Sequence, residues 1–202
     1  MEQTLRPGDV LLFKPTGWGI LLPVVKWLIT YGHVGLYYTE TKRGLPLIIE
    51  SIGRGVLIRS LFVYAGGQIR VMRPKIDDET ASKVAKEAER LADNPSSWYG
   101  YFDISRYVLP KLILAKIGQL LPLRWALTLK LLALSYRHNS FYICSELVAE
   151  AFRRAGVPLV NEKTIPLPDD IAGSEKLKSL GDVTVPLKEG LIEEKALDTD
   201  CD

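Results

Sequence analysis

A thiol, an imidazole and a carboxylate held in line can carry nucleophilic acyl chemistry, with the thiolate attacking, the imidazole moving protons and the carboxylate orienting the ring. The thiol to consider is Cys144, in the run Asn139-Ser140-Phe141-Tyr142-Ile143-Cys144-Ser145-Glu146. After it Leu147, Val148, Ala151, Phe152 and Ala155 recur at helical spacing, and Gly156 and Pro158 supply a stop. The pattern predicts a helix over about 144–155 with Cys144 in its first turn. Unpaired N–H groups and the positive end of the helix dipole there favour the thiolate. A free cysteine can equally serve as a small buried apolar residue, and the helix alone leaves both roles open.

A thiolate needs a base, and the chain has two histidines, His33 and His138. His33 lies in the aromatic and β-branched run Tyr31-Gly32-His33-Val34-Gly35-Leu36-Tyr37-Tyr38-Thr39, followed by the polar Glu40-Thr41-Lys42-Arg43-Gly44 and then Leu45-Pro46-Leu47-Ile48-Ile49-Glu50-Ser51. This reads as a β-hairpin. A register symmetric about the loop pairs Leu36 with Leu47, Val34 with Ile49 and His33 with Glu50. Directly opposed residues have Cβ atoms roughly 5 Å apart, so the carboxylate is expected to hold the imidazole by its Nδ1–H. A slip of one residue would send the pair to opposite faces. His138, on a connecting stretch six residues before Cys144, has no evident orienting partner and is the weaker candidate.

The elements that must position these groups are legible around them. Arg6-Pro7-Gly8-Asp9 is a turn signal before a short buried strand, Val10-Leu11-Leu12-Phe13. The apolar stretch from Trp18 to Tyr31 contains Pro23 and Lys26, suits a short helix and is too short to span a bilayer. Gly53–Arg59 and Gln68–Arg73 read as further strands around the Gly66-Gly67 turn, giving a meandering antiparallel sheet. Asp77-Asp78-Glu79 opens a helix whose Ala81, Val84, Ala85, Ala88, Leu91 and Ala92 form one stripe, closed by Asp93-Asn94-Pro95. Pro168-Asp169-Asp170 starts a short helix, and Gly181–Val185 is a last strand.

Between Ile104 and Ser145 there is no acidic residue, whereas Arg106, Lys111, Lys116, Arg124, Lys130 and Arg137 punctuate leucine-rich runs. Such runs suit basic amphipathic helices that lie on an anionic membrane, or a helical hairpin packed on the domain with its lysines reaching water. The whole chain, 202 residues with 47% hydrophobic and 25% charged, fits one domain over 1–187, with 104–139 as an insertion and 188–202 as an acidic, mobile tail. A formal charge of +2 does not argue for nucleic acid. The two cysteines, Cys144 and Cys201, give no disulfide framework, and two histidines with two cysteines show no metal-ligand spacing. The N-terminus lacks the apolar core of a secretory signal, so a reducing, cytoplasmic setting is expected, with peripheral membrane contact through 109–135.

Taken in order, Arg6-Pro7-Gly8-Asp9-Val10, Gly32-His33-Val34-Gly35, Ile49-Glu50-Ser51, Tyr142-Ile143-Cys144-Ser145-Glu146 and Pro168-Asp169-Asp170-Ile171-Ala172 resemble the circularly permuted NlpC-like papain-fold family, in its YiiX-like branch. The resemblance spans roughly residues 5–180. It implies an α+β, permuted papain-like fold in which an antiparallel sheet packs on the helix carrying the cysteine. It further implies Cys144 as nucleophile, His33 as general base and Glu50 as the orienting third member, with no cofactor. The implied function is a thiol hydrolase, of cysteine peptidase or amidase type, acting through an acyl-enzyme on a small-molecule, peptide or lipid-like acyl substrate. Two alternatives stand beside it: a lipid-directed acyl hydrolase or acyltransferase using the same triad, as the lecithin retinol acyltransferase relatives are, and, from a different class, a non-catalytic module whose cleft binds a small amine, amino acid or peptide. The basic insertion departs from compact family members and bears on the substrate class.

Overall fold

The computed structural model describes residues 4–15, 29–53, 55–94, 98–99, 141–161 and 166–187. The expected helix at Pro23, the basic 104–139 segment with His138, and the tail with Cys201 lie outside the described residues. Eight strands are described: β1 (Val10–Phe13), β2 (His33–Glu40), β3 (Pro46–Ile52), β4 (Gly55–Ser60), β5 (Gln68–Pro74), β6 (Trp98–Tyr99), β7 (Phe141–Tyr142) and β8 (Leu177–Thr184). The helices are α1 (Asp78–Ala92), α2 (Cys144–Arg154) and α3 (Pro168–Ala172), with a 3-10 helix at Leu61–Tyr64.

Six strands form one antiparallel sheet in the order β4-β3-β2-β1-β5-β8, and β6 pairs with β7 in a short parallel ribbon. The expected meander is therefore corrected. The chain leaves β4 at one end of the sheet, crosses by the 3-10 helix and the Gly66-Gly67 turn, and pairs β5 with β1. β8 begins at Leu177, four residues earlier than the sequence pattern indicated, because it pairs along the whole of β5 with a bulge at Val71/Met72.

The alternation of strand side chains divides the core in two. Val10, Leu12, Val34, Leu36, Ile49 and Met72 pack on Val84, Ala85, Ala88 and Leu91 of α1 and on Leu147, Val148, Ala151 and Phe152 of α2. On the other face Leu11, Phe13, Tyr37, Ile48, Ile69 and Val71 pack with Leu61 of the 3-10 helix and Val185. The α1 stripe and its Asp77 N-cap, which accepts from the Thr80 N–H at 2.7 Å, match the sequence pattern. Gly8 shows why the opening turn needs its glycine. Its φ is +87°, and a Cβ there would stand 2.8 Å from the Ala81 carbonyl oxygen of α1. Just after it the fully buried Asp9 accepts two hydrogen bonds from the Arg73 guanidinium, at 2.9 and 2.7 Å, tying the start of β1 to β5.

Candidate active site

The site forms where β2 and β3 part. Their ladder runs from Glu40–Pro46 to Leu36–Ile49 and stops, although β2 continues to His33 alongside β1 and β3 continues to Ile52 alongside β4. Into this fork comes the N-terminus of α2. The Ser51 hydroxyl donates to the Tyr142 carbonyl at 2.6 Å, and the Cys144 sulfur accepts from the Val34 and Ser145 backbone N–H groups. Glu146 closes the first turn of α2 by accepting from the Ile143 N–H at 3.0 Å. The Ser145 hydroxyl donates to the Pro166 carbonyl at 2.7 Å and is thereby committed to holding α2 against the start of α3.

The register of the hairpin differs from the symmetric one by two residues: Leu36 faces Ile49, not Leu47. A shift of two preserves the face, so His33 and Glu50 stay on the same side of the sheet as diagonal neighbours. The side-chain contact is direct, with His33 Nε2 2.7 Å from Glu50 Oε2. The nitrogen engaged is thus Nε2 and not the expected Nδ1. This diagonal approach leaves Nδ1 as the ring nitrogen available to the Cys144 sulfur, with which His33 interacts. Phe13 lies beside the imidazole at 5.5 Å between ring centroids and Tyr64 at 6.3 Å, and these two rings pack on each other at 4.2 Å.

Cys144 is 7% exposed and Glu50 0%, while the His33 side chain retains 21% exposure. Both roles left open for Cys144 therefore meet, since it contributes to the core and also faces a base. Burial pushes the Cys144 thiol up, but the charge and hydrogen bond of His33 and the two backbone N–H donors outweigh it and hold the thiol below its ordinary range. For His33, burial acts downward and is overcome by the Cys144 sulfur and the Glu50 carboxylate, which push the imidazole up to about 10. Burial likewise opposes the charge on Glu50, yet hydrogen bonds from His33 and Tyr64 and the charges of His33 and Arg59 keep it below the usual carboxylate range. The shifts of Cys144 and His33 run in the directions that favour charge separation between them, with the Glu50 carboxylate behind the imidazole.

Further polar residues arrange this site from outside it, and single-residue reasoning did not assign them a part. Arg59 of β4 donates from Nη1 to Glu50 Oε1 at 2.9 Å, and the Tyr64 hydroxyl donates to Glu50 Oε2 at 2.6 Å. Arg59 could have been found from strand alternation, because Ile48 faces Arg59 and Glu50 faces Leu57, which sets Arg59 diagonal to Glu50. Tyr64 left no comparable signal, since it comes from a 3-10 helix. Asp169 of α3 accepts from the backbone N–H groups of Thr30 and Tyr31, at 2.9 and 3.0 Å, and so fixes the segment that enters β2 just before His33. Asp169→Ala is expected to lower stability by about 2 kcal/mol, the scale of hydrogen bonds to a charged group, and to slow modification of Cys144. Thermal unfolding and thiol labelling of the variant check both. Beside His33 opens a cleft of about 600 Å³, lined among others by Phe13, Lys14, Pro15, Ile52, Tyr64 and Gln68.

No family model matches the chain, and no curated protein matches it. Among solved structures the fold is similar to that of the metalloprotein yiiX from Escherichia coli O157:H7. The two are 14% identical, the match covers 88% of this chain and 97% of that chain, and the TM-score is 0.56. The fold relation to yiiX is thus shown, as a mixed α+β chain built on a six-stranded antiparallel sheet. Among the described residues no helix is long and apolar enough to cross a membrane.

Proposed function

We propose that this protein is a thiol hydrolase with a circularly permuted papain-like, NlpC-type arrangement, acting on amide or related acyl bonds through an acyl-enzyme at Cys144. The observation that carries this reading is the fully buried Glu50 carboxylate 2.7 Å from His33 Nε2, with the buried Cys144 thiol interacting with the same imidazole so that the thiol is held low and the imidazole high. The Cys144 thiolate attacks the acyl carbon. Negative charge develops on the carbonyl oxygen, and the Cys144 backbone N–H at the head of α2 is suited to receive it. The imidazolium gives its proton to the leaving amine as the C–N bond breaks, leaving an acyl thioester and a neutral His33. His33 then takes a proton from water, the resulting hydroxide attacks the thioester, and thiolate and imidazolium are restored as the acid departs. Glu50 keeps the ring oriented and stabilises its positive charge throughout.

The fold neighbour is described as a metalloprotein. The donor set here does not fit a metal: both oxygens of Glu50 are occupied by guanidinium, phenol and imidazole donors, and His33 Nε2 is bound to that carboxylate. Among the described residues no three His, Cys, Asp or Glu side chains are grouped to hold an ion. The lipid-directed alternative draws on the basic 104–139 segment, outside the described residues.

To test the proposal, the protein is incubated with a series of small acyl p-nitrophenyl esters and matched amides and followed by intact mass. A transient adduct of the acyl mass on Cys144, discharged by water and missing in Cys144→Ala, is expected. Absence of any adduct from every ester and amide, or an adduct equally abundant in Cys144→Ala, overturns it.

A further inference from the structure

We propose that Arg59 and Tyr64 are positioning residues for the thiol chemistry, acting as a two-sided clamp that keeps Glu50 ionised and aimed at His33. The inference rests on the thiol-hydrolase reading and deepens it. Glu50 is fully buried, and a carboxylate without water stays charged only if its oxygens are otherwise satisfied. His33 supplies one donor, to Oε2. Arg59 takes the other oxygen at 2.9 Å and brings a positive charge, while Tyr64 adds a second donor to Oε2 at 2.6 Å. Among the described residues, the ionisable groups facing Glu50 are therefore His33 from β2, Arg59 from β4 and Tyr64 from the 3-10 helix, with Cys144 of α2 on the far side of the imidazole.

The two clamp residues are placed by different devices. Arg59 is set by strand register, diagonal to Glu50 on the same face. Tyr64 is set by the 3-10 helix, whose start is capped by the Ser60 hydroxyl accepting from the Phe62 N–H at 3.2 Å. Tyr64 also packs on Phe13 beside the imidazole, so it limits ring rotation as well as loading the carboxylate. Without the clamp, burial raises the Glu50 carboxyl, and a protonated Glu50 no longer stabilises the imidazolium. The imidazolium then gives up its proton at a lower pH than in the intact site, and the thiolate, short of its counter-charge, forms only at a higher pH.

The discriminating measurement is the rate of Cys144 alkylation by iodoacetamide from pH 4 to 9 in the full chain, for wild type, Arg59→Met, Arg59→Lys and Tyr64→Phe. The acid limb is expected to move up by about one pH unit in Arg59→Met and by less in Tyr64→Phe, and to return most of the way in Arg59→Lys, which keeps the charge. A purely structural role would lower the unfolding temperature without moving the limb. The limb remaining in place in both Tyr64→Phe and Arg59→Met overturns the clamp. Should Arg59→Met not fold, Tyr64→Phe removes a single oxygen and decides the matter by the same criterion. Slow alkylation of wild type at neutral pH fails the thiol-hydrolase reading itself; fast alkylation of wild type with an unmoved limb fails the clamp alone.

Discussion

Replacing His33 by alanine is expected to slow alkylation of Cys144 at pH 7 by roughly 10-fold and to lower acyl turnover by about 10²–10⁴-fold. The two effects differ because they report different parts of the site. An ordinary thiol with a pKa of about 8.5 is only a few per cent ionised at pH 7, and burial without His33 would reduce that further. A more basic thiolate is a better nucleophile, which offsets part of the lost population. Turnover additionally loses the proton donor for the leaving group. In wild type, alkylation should rise through the lowered pKa of Cys144 and then stay level. Turnover should fall again near pH 10, where His33 gives up its proton. Cys144→Ala should retain only background turnover. Equal alkylation rates in wild type and His33→Ala across pH 5–8 would sink the ion-pair assignment.

Glu50→Ala is expected to be the most destabilising substitution in the site, by about 3–5 kcal/mol, because it leaves Arg59, Tyr64 and the imidazolium without their shared acceptor. Glu50→Gln keeps the shape and one acceptor oxygen, so its cost is smaller and its pH dependence informative. The folded pKa of Glu50 is depressed below its ordinary 4.5. Its stabilising contribution is therefore complete above the unfolded value and is lost as pH falls through the folded one. The gap in unfolding temperature between wild type and Glu50→Gln should be widest near neutrality and should narrow in acid. His33 has the opposite sign. Its contribution is complete below about 6.5 and lost as pH rises through about 10. Thermal melts of wild type, Glu50→Gln and His33→Ala from pH 3 to 10 test both directions; a gap independent of pH below neutrality contradicts the buried-carboxylate account.

Much of the frame was legible because it depends on local chemistry. Val10–Phe13 is a strand because a four-residue apolar run follows a Pro-Gly turn. α1 carries its Asp77 cap and apolar stripe in plain order. Cys144 opens a helix because helical periodicity begins after it and Gly156 ends it. The residue types for acyl chemistry were equally visible, as were the two strands of the hairpin. Strand order was not. The pairing of β5 with β1 instead of β4 depends on contacts between segments far apart in sequence, and a turn of two glycines fits either path.

The alignment of His33 with Glu50 rests on one residue. The ladder nearest the loop pairs Thr39 with Leu47, and continued unbroken it would set Glu50 opposite Leu36, on the face away from His33. The bulge between Tyr37 and Thr39 removes one residue from the count and brings Glu50 round to the His33 face. Tertiary packing decides that bulge, by seating Leu36 and Ile49 in one core and Tyr37 and Ile48 in the other. It also opens the fork that admits Cys144, selects Nε2 for the carboxylate, and brings Arg59 and Tyr64 onto Glu50. The sequence by itself determined which elements form and which groups could react. Only the three-dimensional structure decided which atoms meet, since a period-two strand places a side chain on one face or the other by a single residue.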